Sequence, residues 1–490
     1  MDKLSYIIFA GKTPISHLYN ITSMLQFEEV GVLDMNSEYR GVPAGELMEN
    51  AGKRLAEEIE NRYPDRSVLF ICGTGNNGGD GYVAARYLSE WRGKEDVTVF
   101  LVKGVEGIRS ELARKNLDRL ECRVLDDLDE GSMRGSVIVD AMLGTGIKGS
   151  IREPYRDIIK TVNKIGSIVV SVDVPSGLGA DIQVRPELTV TFHDKKIGMD
   201  EDDCGEIVIK DIGIPEEAER FTGPGELLLY PRPGHGSHKG ENGTLLIIGG
   251  GPYTGAPALA AMAAYRTGVD LVHLAVPSSI SNVVAGFSPS FIVHPLEGKI
   301  LNEDHIEKIS TISKGCDAIL LGPGLGEEPK TLEACRAILK DVEIPVVIDA
   351  DGLKASADDI SILPRETILT PHRGEIKLFS ETDTSGEEIA DRLTEEYGLT
   401  VLLKGEVDYI TDGERKKWND FGTPAMTVGG TGDTLAGVTA GLLSKGMDPF
   451  DAARLGSYIT CRAGELASED VGYGLMPEDI TEKIPKVLKP

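Results

Sequence analysis

Positive charge is scarce in this chain: 51 Lys and Arg stand against 79 Asp and Glu, a formal net charge of −28 over 490 residues. Such a polyanion repels the nucleic-acid backbone, and no basic patch with interleaved aromatics offsets the repulsion, so no nucleic-acid partner is expected. Cysteine is also scarce. Cys72, Cys122, Cys204, Cys316, Cys335 and Cys461 form no C-x-x-C pair and have no zinc-type spacing with histidine. That excludes a disulfide framework and a structural zinc site, and it predicts reduced thiols in a cytoplasmic protein. No apolar run approaches the ~18 residues that span a bilayer, so no membrane association is expected. The short apolar run Leu4–Ala10 lacks the flanks of a signal peptide, and residues 1–25 read as an uninformative N-terminal extension. Aromatics are only 6%, whereas glycine is abundant at 58 residues. Much glycine with few aromatics suits an α/β enzyme with many tight strand-to-helix turns.

At roughly 100–200 residues per domain the length predicts two to four domains. Two long blocks each alternate strand and helix patterns, which predicts two α/β units with mostly parallel sheets. In the first block a helix is expected over Ala44–Arg62, with Leu47, Ala51, Leu55 and Ile59 on one face. Strands are expected at Val68–Cys72, Val97–Val102, Ser136–Leu143, Ser167–Val174, Leu188–Phe192 and Glu206–Ile212. A Pro/Gly-rich break, Tyr230 to Gly240, predicts a domain boundary. The expected limits are 26–222 and 238–490, joined by a linker over 223–237. In the second block strands are expected at Thr244–Ile248, Leu271–Val276, Ala318–Leu321, Val346–Ile348, Thr367–Leu369 and Thr400–Leu403, with helices at Ala256–Thr267 and Gly432–Leu443.

Each block carries a glycine-rich loop. The first, Gly73-Thr-Gly-Asn-Asn-Gly-Gly-Asp-Gly81, contains G-x-G-x-x-G between a strand and a helical segment (Tyr82–Trp91). A dinucleotide fingerprint also needs an acid at the end of the next strand for the ribose hydroxyl, and Leu101-Val-Lys-Gly104 has none. Asn76, Asn77 and Asp80 are too polar for a loop that only packs on pyrophosphate. Two later strand ends are polar as well, at Asp140 and at Asp173-Val-Pro-Ser-Gly177. Ligands of open α/β sheets bind beyond the C-terminal strand ends, so Asn77, Asp140 and Ser176 are candidate oxygen ligands of a monovalent cation. The plainer alternative is that Asp140 and Asp173 cap turns.

This block resembles the N-terminal YjeF domain of the NAD(P)H-hydrate epimerase family. The likeness rests on Leu47-Met-Glu-Asn-Ala-Gly52, the Gly73–Gly81 loop, Val139 to Gly146, Asp173 to Gly177 and Thr191 to Gly198. The resemblance implies a Rossmann-like three-layer sandwich. It further implies that Asn76, Asn77, Gly78, Gly79 and Asp80, the loop Gly144, Thr145, Gly146, Ile147, Lys148, Gly149 and Ser150, and Asp173 bind a nicotinamide hydrate. K+ would sit on Asn77, Asp140 and Ser176. Asp173 is the candidate acid/base, with Asp140 as a competitor.

The second loop, Val428-Gly-Gly-Thr-Gly-Asp433, opens a small-residue helix. Free N–H groups at a helix N-terminus bind anions, and an adjacent Asp can deprotonate a hydroxyl that attacks a phosphoryl group. With an ordinary carboxyl pKa of about 3.9, Asp433 is expected to be ionised at neutral pH. The alternative is an N-cap on a close-packed helix. Further strand ends carry Leu321-Gly-Pro-Gly-Leu-Gly326, Asp349-Ala-Asp-Gly352, Thr370-Pro-His372 and Lys404-Gly405. Together these resemble the ribokinase-like superfamily, and more closely the ADP- or ATP-dependent NAD(P)H-hydrate dehydratases. The likeness implies that Ala256, Gly324, Gly326, His372 and Asp433 face the hydrate. Lys404, Gly405, Gly429, Gly430, Thr431 and Gly432 would hold the adenine nucleotide with its Mg2+. Pro424-Ala-Met426 departs from the family's more usual Pro-Gly-Met.

The function implied is a two-step repair. One site interconverts the R and S forms of a hydrated NAD(P)H, and the other phosphorylates the S form so that phosphate can leave. A soluble homo-oligomer is expected. Two rivals stay open on sequence alone: a kinase for a small vitamin-like alcohol, and an N-terminal block that only binds.

Overall fold

A computed structural model describes residues 24–147 and 149–489. The extension expected over 1–25 therefore lies almost wholly outside the described residues, as does Lys148.

Seven parallel strands form the first sheet: β1 (Val68–Cys72), β2 (Val97–Leu101), β3 (Arg123–Leu125), β4 (Val137–Ala141), β5 (Val169–Val172), β6 (Leu188–Phe192) and β7 (Glu206–Lys210). Their spatial order is β3-β2-β1-β4-β5-β6-β7. The chain runs outward from β1 to β3 and then returns to the other side of β1, so the crevice of the sheet lies between the C-terminal ends of β1 and β4. β1 is buried along its whole length. Phe70 and Cys72 pack into one apolar layer with Leu55 and Tyr82, while Leu69 and Ile71 pack into the opposite layer with Ile138 and Ile159. That alternation is the strand's two-residue period feeding two helix layers, which makes the three-layer sandwich. Sequence reading missed β3, whose Arg123 and Val124 are exposed on the sheet edge and give no apolar run.

The expected helix Ala44–Arg62 forms with those limits. The helix after β1 starts earlier than expected: Asn76–Arg92 is helical, so most of the glycine loop is the helix's first turns. Close packing explains this. A Cβ at Gly79 would lie 2.7 Å from Met48, and one at Gly81 would lie 2.8 Å from the Ala141 side chain.

The second sheet has nine strands: β8 (Thr244–Ile248), β9 (Leu271–Pro277), β10 (Ile292–Leu296), β11 (Ala318–Leu321), β12 (Val346–Ile348), β13 (Thr367–Leu369), β14 (Thr400–Leu403), β15 (Asp408–Thr411) and β16 (Lys416–Asn419). The order is β10-β9-β8-β11-β12-β13-β14-β15-β16. The strands are parallel except that β15 pairs antiparallel to both β14 and β16. Sequence reading missed β10, β15 and β16. These lie at the sheet's margins, where charged and polar residues break the apolar runs that mark the central strands. The small-residue helix Thr431–Ser444 packs face to face on Gly255–Arg266, where a Cβ at Gly437 would meet the Ala260 carbonyl oxygen at 2.2 Å.

The helix Phe27–Tyr39 joins the two units. Its Glu29 carboxylate receives both terminal guanidinium nitrogens of Arg454, at 2.7 and 3.0 Å, from the long helix Pro449–Val471. Lys417 lies 3.4 Å from the same carboxylate. Farther along, Asn36 accepts the Gly225 N–H at 2.8 Å and donates to the buried Glu226 at 3.1 Å. Arg40 forks onto Asp420 at 2.8 and 2.9 Å. Pro224–Leu229, within the stretch read as linker, forms a 3-10 helix against this surface. The following Pro/Gly stretch is exposed. Burial alone would raise the Glu29 pKa, but Arg454 and Lys417 outweigh it and hold the carboxyl down at about 2.

Arg454→Ala leaves Glu29 and Glu226 buried without their main cation. We expect it to cost about 3–5 kcal/mol in chemical denaturation. The Glu29 pKa is depressed from an ordinary 4.5, so its contribution is complete above pH 4.5 and is lost as pH falls toward 2. Across that window the native chain should lose more stability than the variant.

Candidate active sites

The first site forms where the ends of β1, β4 and β5 meet. Gly73 directly follows β1, and a Cβ there would lie 1.7 Å from the Met142 carbonyl oxygen that follows β4. Only glycine lets the two strand ends approach so closely. Asp140, fully buried on β4, is held by four donors: the Ser171 hydroxyl at 2.9 Å, the Ser176 N–H at 2.8 Å, the Ser176 hydroxyl at 2.5 Å and the Met142 N–H at 3.3 Å. Burial raises its pKa, and these hydrogen bonds work against the rise. Leu143 links the remaining pieces: its N–H donates to Ser176 Oγ at 2.9 Å, and its carbonyl accepts the Asn77 amide at 3.2 Å. Asn77, Asp140 and Ser176 thus meet at one point.

Asp173 begins the turn after β5 with φ of 63°, a region that non-glycine residues occupy only when the surroundings impose it. Its Oδ1 accepts the Phe192 N–H at 3.2 Å and the Thr191 hydroxyl at 3.3 Å, and it is ion-paired with Lys196. The Lys196 ammonium is 2% exposed and also donates to the Phe192 carbonyl at 2.7 Å and to Thr191 Oγ1 at 2.9 Å. Lys196 lies within the stretch that carries the family likeness, but no sequence signal separated it from Lys195.

Two further carboxyls share this charge environment. Asp80, from the glycine loop, is pushed well above the carboxylate range by burial first, then by Asp173 and Asp34, against the pull of Lys196. Asp34, on the helix Phe27–Tyr39, was not foreseen. Burial first and Asp173 second raise it to about 6, again against Lys196. Among the other predicted residues, Gly78 packs against Gly73 and Gly79 against Met48, while Asn76 accepts the Ser110 hydroxyl. Gly144 lies against Asn77. Of the described residues beyond it, Thr145 and Ile147 are half-buried, Gly146, Gly149 and Ser150 are exposed, and Ser150 bonds Asp181.

The second site is built the same way. A Cβ at Gly322, after β11, would lie 1.8 Å from the Asp349 carbonyl oxygen after β12. The buried Asp349 carboxylate accepts Lys404 Nζ at 2.7 Å and the Thr370 hydroxyl at 2.8 Å. Asp351 accepts the Gly326 N–H at 2.8 Å. Ala350 between them has φ of 47°. Gly430, with φ of 101°, turns the chain into the helix Thr431–Ser444, and a Cβ at Gly432 would lie 3.5 Å from Lys404 Nζ. Thr431 spends its hydroxyl on the Met426 and Val428 carbonyls, closing the turn. Gly429 has open space around it.

Burial works to lower the Lys404 pKa, but Asp349, Glu375 and Asp433 outweigh it and hold the ammonium above the usual lysine range. Asp433 departs from the sequence expectation of an ordinary ionised carboxylate. Burial first, then Asp349 and Asp351, against Lys404, raise it to about 7. The sequence could not show this, because Asp349 and Asp351 stand more than 80 positions away and meet it only in the fold. Gly405 donates its N–H to Asp408 at 2.9 Å. His372 lies beside Lys404 in an isolated bridge, with a largely exposed ring whose Nδ1 accepts the Gly374 and Glu375 N–H groups. Gly324 packs on Tyr253 and Ala256, and Gly326 on Pro252.

Among the described residues no group of three or more His, Cys, Asp or Glu is placed to hold a metal ion. No described helix is long and apolar enough to cross a membrane. All six cysteines are free.

Two family models match the chain: NAD(P)H-hydrate dehydratase over residues 245–486 and YjeF-related protein N-terminus over residues 44–198. The chain is 44% identical over 498 residues to the bifunctional NAD(P)H-hydrate repair enzyme of Methanothermobacter thermautotrophicus, covering 94% of this chain and 95% of that one. It is 40% identical over 473 residues to the enzyme of that name in Archaeoglobus fulgidus, covering 94% and 97%. Among solved structures, a ribokinase-like superfamily protein from Enterococcus faecalis shares the fold at 24% identity and a TM-score of 0.50, covering 55% of this chain and 95% of that one.

Because a Cβ at Gly73 would strike backbone, we expect Gly73→Ala to lower stability by about 3 kcal/mol or more. Gly75→Ala, with open space and φ of −103°, should unfold at nearly the native temperature. Paired thermal denaturation curves check the contrast.

Proposed function

This chain belongs to the family of bifunctional NAD(P)H-hydrate repair enzymes, and on that premise we propose how its two sites divide the work. The N-terminal site interconverts the R and S hydrates of NADH or NADPH. The C-terminal site returns the S hydrate to the reduced cofactor at the expense of ADP or ATP.

The observation that carries the second assignment is the cluster of Asp433, Lys404 and Gly432 at the N-terminus of the helix Thr431–Ser444. The hydrate carries its hydroxyl on the carbon next to the ring nitrogen, and hydroxide is a poor leaving group. Asp433 takes the hydroxyl proton, and the freed oxygen attacks the terminal phosphorus of ADP or ATP as the P–O bond to the departing AMP or ADP breaks. The N–H groups of Gly429–Gly432 and the Lys404 ammonium face the charge that develops on the transferring group. The ring nitrogen's lone pair then expels phosphate, and loss of a proton from the adjoining carbon restores the ring's double bond. Asp349 holds Lys404 in place by its 2.7 Å bond. Ala256, Gly324, Gly326 and His372 line the hydrate side. A nucleotide that arrives with Mg2+ on its own phosphates needs no protein carboxylate cage.

In the N-terminal site Asp173, fixed by Lys196, is the proton carrier for inversion at the hydroxyl-bearing carbon. Asn76, Asn77, Gly78, Gly79, Asp80 and the 144–150 loop hold the hydrate. Asn77, Asp140, Ser176 and the Leu143 carbonyl offer oxygens only, the ligand type that suits K+. Asp140 would release one of its four present hydrogen bonds to take part. The ion would supply a positive charge near the ligand's phosphates in an otherwise acidic protein.

Incubation with hydrated NADH and ADP or ATP should restore the absorbance of the reduced ring. Accumulation of a stable phosphorylated alcohol without that recovery would instead mark a small-molecule kinase. Asp433→Asn should lower dehydration by about 100-fold or more. Because the base is the ionised form and its pKa is raised to about 7, native kcat/KM should climb as pH rises toward neutrality and level off above it. Asp173→Asn should abolish R-to-S conversion and leave S-hydrate dehydration unchanged.

A further inference from the structure

We propose that Asp34 is a second catalytic carboxyl of the N-terminal site: it gives a proton to the hydroxyl leaving the hydrate, while the lysine-paired Asp173 accepts one from the water that adds to the opposite face. The inference rests on the epimerase reading of that site.

Three observations carry it. The first is placement. Leu25 pairs with the segment that bears Lys196: its N–H donates to the Lys195 carbonyl at 2.8 Å, and its carbonyl accepts the Ile197 N–H at 2.9 Å. The helix Phe27–Tyr39 follows two residues later, and its far side is fastened through Asn36 and Arg40. Asp34 is thereby held within electrostatic reach of Asp173, Lys196 and Asp80. The second is bonding. Asp140, a carboxylate that holds structure together, has both oxygens filled by protein donors, and Asp349 accepts two donors on its Oδ1. Asp34 is half-buried and accepts no hydrogen bond from the described residues. The third is charge. Asp34 and Asp80 lie in the field of Asp173 and of the Lys196 ammonium that Asp173 already pairs with, so like charge opposes their ionisation.

The three acids then separate by environment. Asp173 has the ammonium and two further donors. Asp80 is pushed well above the carboxylate range, which suits a carboxyl that stays protonated and donates a hydrogen bond. Asp34, raised to about 6, is the one whose proton exchanges readily near neutral pH.

The step balances. The bond from the ring carbon to the hydroxyl oxygen breaks, and the oxygen takes the Asp34 proton and leaves as water. The ring nitrogen's lone pair forms the C=N bond of an iminium. A water oxygen then bonds the carbon from the other face, the C=N pair returns to nitrogen, and the excess proton passes to Asp173. One proton has moved from Asp34 to Asp173, and solvent exchange or the reverse turnover restores it.

The test uses the full chain and R and S hydrates of NADH separated by chromatography. S-hydrate dehydration with ADP or ATP serves as an internal check of folding. Asp34→Asn is expected to lower the epimerisation kcat about 100-fold, with KM within threefold and dehydration within twofold of native. Asp34→Glu should recover part of the rate, and added formate should partly rescue Asp34→Ala. Epimerisation by Asp34→Asn within threefold of native overturns the proposal. So does a loss that neither glutamate nor formate relieves, or one that dehydration shares. If the native chain itself fails to epimerise above the spontaneous rate, the reading of the whole site falls; failure at Asp34 alone leaves that reading standing.

Discussion

Both halves of this protein depend on one steric constraint: two neighbouring parallel strands must end with their backbones nearly touching. At Gly73 a methyl group would lie 1.7 Å from the next strand's carbonyl, and at Gly322 it would lie 1.8 Å away. The absence of a Cβ draws the loops after those strands over a common point. In the first half this brings Asn77, Asp140 and Ser176 together around Leu143. In the second it sets Asp349 and Asp351 under the glycine run 322–326. Side chains that are dispersed in the sequence become neighbours because a parallel sheet delivers all its strand ends to one edge.

Electrostatics decides what those neighbours do. In a chain with net charge −28, each site is organised around one enclosed lysine, Lys196 in the first and Lys404 in the second. Each lysine pairs with one aspartate and leaves other carboxyls under-compensated. In the second site the paired Asp349 becomes a positioning group, in the first the paired Asp173 is held in place, and the surplus carboxyls are raised: Asp433 to about 7 and Asp34 to about 6. Desolvation by the surrounding apolar layers supplies the largest part of each rise. The same low-polarity packing that stabilises the sandwiches thus keeps these carboxyls near the pH at which protons move in both directions.

The helix Phe27–Tyr39 gives the two halves a shared part. Its first turn is bound to the C-terminal unit through Glu29 and Arg454, its middle sets Asp34 in the charge field of Asp173 and Lys196, and its end is tied by Arg40 to Asp420. A helix with so many polar obligations has little amphipathic pattern, which is why nothing in its sequence marked it as important. The central strands were legible because they are uninterrupted apolar runs, and the glycine-rich strand ends because glycine clusters have few other uses. Marginal strands such as β3 and β16 were not, since their residues face solvent or the other unit.

The sequence by itself determined two α/β sandwiches, the positions of their central strands, and a glycine-bounded loop at the mouth of each sheet. Those features follow from local periodicity and from glycine's freedom. Tertiary structure alone decided the protonation character of the sites and their membership. Whether Asp433 is ionised depends on Asp349, Asp351 and Lys404; whether Asp34 belongs to a site depends on how a preceding helix docks. Both are questions of distance and desolvation among residues far apart in the chain, and no pattern of neighbouring letters encodes them.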